Sequence, residues 1–132
     1  MKVEWSVIGY AIPLLAEGLV AIEEAIVRSE RNEERWATAE LLRIKGELFL
    51  LQGAPGAAAA AEGHFRQALD WARRQGALSW ELRTASSLAR LWRDQHRVKE
   101  ARALLGSVYG RLTEGFATAH LREAKSLLRE LE

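Results

Sequence analysis

The sequence predicts an all-α protein of about six helices, paired as antiparallel hairpins that stack on one another. Apolar residues recur every three or four positions through most of the chain, and no segment keeps the two-residue alternation of a half-buried strand. Glycine, proline or polar runs separate the periodic segments. We therefore treat residues 1–132 as a single helical-repeat domain, in which residues 1–12 form an N-terminal segment without an assigned structure.

The first predicted helix covers residues 13–29, where Pro13 suits a first helical turn because its missing N–H is not needed there. Its apolar stripe consists of Leu15, Leu19, Ile22 and Ile26. The second helix is predicted at 35–52. It ends at the Gly-Ala-Pro-Gly run 53–56, because glycine and proline have low helix propensity. Its expected inward stripe consists of Leu41, Ile44, Leu48 and Leu51.

The third helix is predicted at 57–75, because it starts in an alanine run and closes on two arginines followed by Gly76. A fourth helix is expected at 79–95 with Ser79 as its N-cap. The last two helices are predicted at 97–112 and 118–131, the latter with Thr118 as its cap.

Small and bulky residues alternate at repeat positions in two successive hairpins. A small residue is needed where two helix axes approach closely, and a bulky one fills the gap beside it. The first hairpin carries Gly46 and Phe49 on one helix and Ala61, Phe65 and Ala68 on the next. The second carries Ala89 and Trp92, then Ala101 and Leu105. This placement predicts that Trp92 is buried between the fourth and fifth helices.

With this spacing the chain resembles a tetratricopeptide repeat, which has about 34 residues per helix pair. Its segments 34–36, 39–43, 45–48, 65–69 and 113–116 resemble the C-terminal helical-repeat region of large bacterial regulatory proteins. Those proteins join a predicted ATPase module to an adenylate-cyclase-like or helix-turn-helix domain, and the likeness covers residues 13–131. It implies a short right-handed solenoid that acts as a sensor or scaffold in signalling. His96 stands where the turn between such helices usually has glycine.

Charge and composition exclude several classes of function. The chain has 19 basic and 18 acidic side chains, so no global field attracts nucleic acid or an anionic membrane. Residues 67–132 carry 12 basic against 8 acidic side chains, a surplus of four that weakly favours acidic partners. No apolar run is long enough to cross a bilayer or to serve as a signal peptide, and the lack of cysteine fits a reducing compartment. We therefore expect a cytoplasmic protein.

No catalytic, cofactor or metal site is predicted. His64, His96 and His120 do not share the spacing of a metal-binding motif. The glycines at 53 and 56 lack the Gly-Lys-Ser/Thr ending that a phosphate-binding loop requires. Ser86 and Ser87 lie in mid-helix without a nucleophile elbow. These observations predict that the protein is not an enzyme.

The remaining candidates are surface residues that could contact another protein. Arg90, Arg93 and Arg97 follow one line along the end of the fourth helix, although a solvated face would show the same pattern. The tryptophans at helix ends either wedge neighbouring hairpins or mark an interface; these are Trp36, Trp71 and Trp80.

These features favour a non-catalytic protein-binding or scaffold module. Two alternatives remain open, a ligand-sensing domain of a transcriptional regulator and a small helical enzyme. A homodimer formed through residues 1–28 is also predicted, because the first helix has no evident partner helix within the chain. The alternative is that residues 1–12 fold back over the vacant face of this helix and leave a monomer.

Overall fold

A computed structural model describes residues 16–28, 37–111 and 119–132 of the chain. Within these ranges the backbone forms six α-helices and no strand, which confirms the predicted all-α class. The helices are α1 (16–28), α2 (Thr38–Gln52), α3 (Ala57–Arg74), α4 (Leu78–Asp94), α5 (Val98–Gly110) and α6 (Ala119–Glu130).

The helices pack mainly against their neighbours in sequence, with α4 at the centre. The α2–α3 and α4–α5 pairs form hairpins, and α3 also packs against α4. In addition, α4 contacts both α2 and α6, while α6 packs against α5. The first helices of the two hairpins (α2 and α4) are therefore in contact, and α6 contacts the second of them. The handedness of a solenoid stays a prediction.

Most repeat positions lie in the core. Among the nine predicted positions, the structure buries Gly46, Ala61, Phe65, Ala68, Ala89, Trp92, Ala101 and Leu105. Phe49 is half-buried and stacks on the His64 ring at a centroid distance of 5.2 Å. A methyl group at Gly46 would lie only 2.6 Å from a ring carbon of Phe65, so α2 and α3 are in close contact at this glycine.

The inward stripe expected on α2 is wrong. The residues that α2 buries are Thr38, Ala39, Leu42 and Gly46. Leu51, by contrast, is 69% exposed. The reason is that α2 is apolar on two sides, and its small-residue side faces α3. The other side meets α1, because a methyl group at Gly18 would lie 3.6 Å from Leu48 and Lys45 Nζ lies 3.3 Å from Glu23 Oε1.

Two turns have the same hydrogen-bond pattern at the ends of α3 and α4. Ala77 N–H donates to Ala72 O at 2.9 Å, and Arg97 N–H donates to Trp92 O at 2.8 Å, as in a Schellman motif. The residue before each donor is left-handed, with φ of 63° at both Gly76 and His96. His96 therefore adopts the backbone conformation that the resemblance assigned to glycine.

The N-cap predicted for α4 is also wrong. The helix begins at Leu78 with Ala77 as its N-cap, because Ala77 O already accepts a hydrogen bond from Glu81 N–H at 2.9 Å. Other predicted features lie outside the described residues: segment 1–12, Pro13, Leu15, the tryptophan at 36 and Thr118.

Trp92 is buried as predicted, with 7% of its surface exposed, but its partners include α3 as well as α5. Its Nε1–H donates to Glu62 Oε1 on α3 at 2.7 Å. The guanidinium carbons of Arg66 and Arg97 lie 5.4 and 4.7 Å from the ring centroid, on the cation–π scale. The indole of α4 thus contacts α3 and the N-cap residue of α5 through its Nε1–H and its aromatic ring.

Candidate functional site

A polar cleft lies where α2, α4 and α6 meet. Its volume is about 160 Å³. The side chains that line it are Arg43, Arg83, Ser86, Arg90, His120 and Glu123. Three guanidiniums against one carboxylate give this lining an excess of positive charge.

Helix α4 supplies the floor of the cleft. Arg83, Ser86 and Arg90 are spaced i, i+3 and i+7, so they share one face of the helix. On the core side α4 buries Leu82, Ala85, Leu88, Ala89 and Trp92. Ser86 on the cleft face and its neighbour Ser87 are small, and both are buried. Small side chains on α4 allow α2 and α6 to approach it from either side.

Arg43 on α2 is held in a fixed position. Its Nη2 and Nε donate to the two carboxylate oxygens of Glu40 at 2.6 and 3.1 Å, and its Nη1 donates to Ser87 Oγ at 3.3 Å. The hydrogen bond to Glu40 outweighs the effect of burial and raises the pKa of Arg43 above its ordinary value. Arg83 Nη2 lies 2.9 Å from Glu40 Oε1, the oxygen that also accepts from Arg43 Nη2, so this carboxylate joins α2 to α4.

Arg90 is held much more loosely. Its nearest carboxylate oxygen, Glu47 Oε1, lies 3.8 Å away, and the same oxygen lies 3.9 Å from Arg43 Nη1. Both distances allow ionic attraction but exceed that of a hydrogen bond. The Arg90 side chain is also 40% exposed, so its N–H groups face a space that a bound group could enter.

The arginine line predicted from the sequence is divided in the structure. Arg93 pairs with Glu130 of α6 at 2.6 Å and with the adjacent Asp94 at 3.2 Å. Arg97 pairs with Glu62 of α3 at 2.8 Å and Glu100 at 2.6 Å. Each guanidinium thus reaches towards a different helix, and Arg90 alone among the three lines the cleft.

The described candidate tryptophans are separate from the cleft. Trp71 and Trp80 are half-buried, and neither lines the cleft. The Arg74 guanidinium lies 5.7 Å from the centroid of the Trp71 ring. The third candidate, Trp36, lies outside the described residues.

Sequence reasoning missed most of the cleft. The i, i+3, i+7 spacing of Arg83, Ser86 and Arg90 was a visible signal on one helix. No spacing in the sequence connects these residues with Arg43 or with His120 and Glu123. Their proximity depends on how α2 and α6 pack against α4.

A buried carboxylate away from the cleft forms ion pairs between helices. The Glu81 side chain is 3% exposed and pairs with Arg73 at 3.3 Å and with Arg111. These contacts join the end of α3, the start of α4 and the end of α5. These two cations compensate the cost of burying the Glu81 charge, which is high for an unpaired carboxylate.

The histidines do not converge. Burial and the nearby Lys45 charge lower the pKa of His64. Its Nδ1 is buried and has no hydrogen-bond partner among the described residues. In the described ranges no group of three or more His, Cys, Asp or Glu side chains is arranged to hold a metal ion. Within the same ranges no helix has both the length and the apolar character needed to cross a membrane.

Comparison with protein-family models, with curated proteins and with solved structures gives no match for this chain.

Proposed function

We propose that this protein is a non-catalytic module that binds a segment of another protein in the cleft between α2, α4 and α6. One observation carries the proposal: α2 and α4, the first helices of the two hairpins, and the following helix α6 bring polar side chains to one cleft. A surface assembled from equivalent helices of stacked hairpins is the kind that helical-repeat proteins use to bind extended segments.

The packing order supports a repeat architecture of the tetratricopeptide type. Consecutive helices pair, and α4 additionally contacts α2, the first helix of the preceding hairpin, and α6, the helix that follows its own hairpin. The close approach at Gly46 and Phe65 occupies the positions that the repeat pattern assigns to a small and an aromatic residue. We extend the proposal to a right-handed solenoid and to a cytoplasmic scaffold or sensor role in a bacterial regulatory protein.

The size of the cleft favours a protein segment over a free small molecule. Small-molecule pockets have volumes of about 300–1,000 Å³ and mostly apolar walls. This cleft measures about 160 Å³ and is lined mainly by charged side chains. It has room for one or two side chains of a longer ligand that continues across the surface. The cleft therefore suits the ligand-sensing alternative less well than the binding of a protein segment.

Unbiased peptide selection tests this function. A display library of random 16-residue peptides is selected on the purified protein, and the recovered peptides are titrated into ¹⁵N-labelled protein. We expect amide shifts concentrated in α2, α4 and α6. Failure to recover any binder, or shifts confined to α3 and α5, would contradict the proposed function.

A homodimer through residues 1–28 is a separate proposal about partners. The premise that the first helix lacks a partner within the chain is wrong, because α1 packs against α2. A dimer would therefore have to use the other side of α1. In the described part of that segment, Val20 and Val27 are 56% and 50% exposed on the outer side of α1. Light scattering at micromolar concentration measures the mass directly. A mass near 14.8 kDa would rule the dimer out.

A further inference from the structure

Two carboxylates of α2 approach the cleft arginines in very different ways. Glu40 makes contacts of 2.6, 2.9 and 3.1 Å with Arg43 and Arg83. Glu47 makes none closer than 3.8 Å, although it lies between Arg43 and Arg90. Charge-assisted hydrogen bonds between guanidinium and carboxylate have heavy-atom distances of about 2.7–2.9 Å. Glu40 therefore forms a structural ion pair, whereas Glu47 offers only a weak electrostatic contact.

Arg43 and Arg90 likewise differ in how many of their N–H groups are hydrogen-bonded. Arg43 commits three N–H groups to Glu40 and Ser87. Arg90, two helical turns from Arg83 on α4, has the long Glu47 contact and no hydrogen bond among the described residues. A guanidinium has five N–H donors in a planar fork that fits a carboxylate in a bidentate manner. The donor capacity of Arg90 is thus largely unused, and its side chain lines the cleft.

We propose that the cleft binds an acidic segment of the partner, with a carboxylate hydrogen-bonded to Arg90, and that Glu47 is the intramolecular competitor which that carboxylate displaces. This inference rests on the proposed function, because it names the chemistry of the partner at the same cleft. The carboxylate exchanges a contact of 3.8 Å for a bidentate pair of hydrogen-bond length. Arg83 adds attraction from the same face of α4.

The other charged groups of the cleft limit how much negative charge a bound segment can carry. Glu123 of α6 lines the wall and repels a carboxylate placed beside it, while Arg43 and Arg83 remain partly neutralised by Glu40. The site therefore fits one carboxylate near Arg90 better than a densely acidic segment. Binding weakens with added salt, since the groups are partly exposed and are screened over a Debye length of about 8–10 Å.

The composition of selected peptides is the first measurement. The random 16-residue library is selected without bias, and the tightest binder is resynthesised with each Asp or Glu replaced by its amide. We expect enrichment of Asp and Glu, with one acidic position whose replacement weakens binding about five- to tenfold, as for a partly exposed charge-assisted pair.

Three variants locate that position in the cleft. Arg90→Gln removes the proposed donor and should weaken binding of the same peptide about five- to tenfold. Glu47→Gln removes the competitor and should tighten binding about two- to fivefold. Arg129→Gln is the matched control, because Arg129 is exposed on α6 and does not line the cleft, and it should leave the affinity unchanged. Thermal melts confirm that each variant is folded.

The opposite effects of the two cleft variants separate the inference from a general loss of structure. Weaker binding in Glu47→Gln would overturn it, since Glu47 would then position Arg90 rather than compete for it. Cleft-dependent peptides without acidic enrichment would also overturn it while leaving protein binding intact. Recovery of no peptide at all would remove the proposed function together with the inference.

Discussion

Replacing Gly46 with alanine tests whether the packing of α2 on α3 is as close as the structure shows. The new Cβ would lie 2.6 Å from Cε1 and 2.9 Å from Cδ1 of the Phe65 ring. Ordinary van der Waals contact begins at 3.4 Å, so the ring or the helix must move by the difference, 3.4 − 2.6 = 0.8 Å. Phe65 is fully buried, and its neighbours in the core leave little room for that movement.

The free energy of unfolding receives two opposite contributions in this variant. Alanine favours a helix interior over glycine by about 0.8–1 kcal/mol. Overpacking a filled core costs about 1–3 kcal/mol, and sometimes more. Because the clash involves three atoms of one rigid ring, we expect the upper part of that range. The expected net loss of stability is about 1–2 kcal/mol.

Gly63→Ala provides the matched control. Gly63 is an exposed glycine inside α3, and a Cβ there would have no neighbour within 4 Å. Only the helix preference acts, so this variant should gain about 0.8–1 kcal/mol. The same substitution in two adjacent helices is thus expected to have opposite effects on stability.

Urea denaturation followed by circular dichroism measures both variants. In a Phe65→Leu background the ring is absent, and the penalty of Gly46→Ala should shrink in a double-mutant cycle. If Gly46→Ala stabilises the protein as much as Gly63→Ala does, α2 and α3 do not approach each other at this glycine.

Three further predictions concern the core, one turn and the response to pH. Trp92→Ala should destabilise the protein by about 3–5 kcal/mol in chemical denaturation, and a loss below about 1 kcal/mol would contradict its burial. His96→Gly should stabilise it by about 0.5–1 kcal/mol by relieving a left-handed backbone, while Gly76→Ala should destabilise it by a similar amount, both read from melting curves. Burial raises the pKa of Glu62, but hydrogen bonds from Trp92, Arg97 and Arg66 outweigh it and hold the pKa below 4.5. Its stabilising contribution is therefore complete above pH 4.5 and is lost as the pH falls through the lowered value, so the stability difference from Glu62→Gln should shrink on acidification. A constant difference between pH 7 and pH 3 would contradict this assignment.

The helices were predictable because their signals are local. Gly53 and Gly76 follow the ends of α2 and α3, where the backbone becomes left-handed, and apolar periodicity marks the interiors. Gly46 and Phe65 were each predictable as repeat positions, whereas their contact with each other is known only from the structure. The left-handed turn at His96 was predictable from its position in the repeat, although glycine, the usual residue there, is absent. His96 has the same φ as Gly76.

The sequence-based predictions failed where one helix packs against more than one neighbouring helix. On α2 the larger apolar residues suggested one inward stripe, but the buried face consists of smaller ones such as Ala39 and Gly46. Periodicity cannot tell which of two apolar sides faces the core. For α4 the sequence indicated a line of arginines, whereas Arg93 and Arg97 turn towards carboxylates of α6 and α3.

By itself the amino-acid sequence determined the all-α class, the approximate helix bounds and most of the buried repeat positions, because these depend on backbone preferences and on burial along a single helix. Only the tertiary structure decided the cleft, since Arg43, Arg90 and His120 are brought together from α2, α4 and α6. It also decided which arginine remains loosely paired. That property depends on distances between side chains of different helices, and no spacing within one helix encodes those distances.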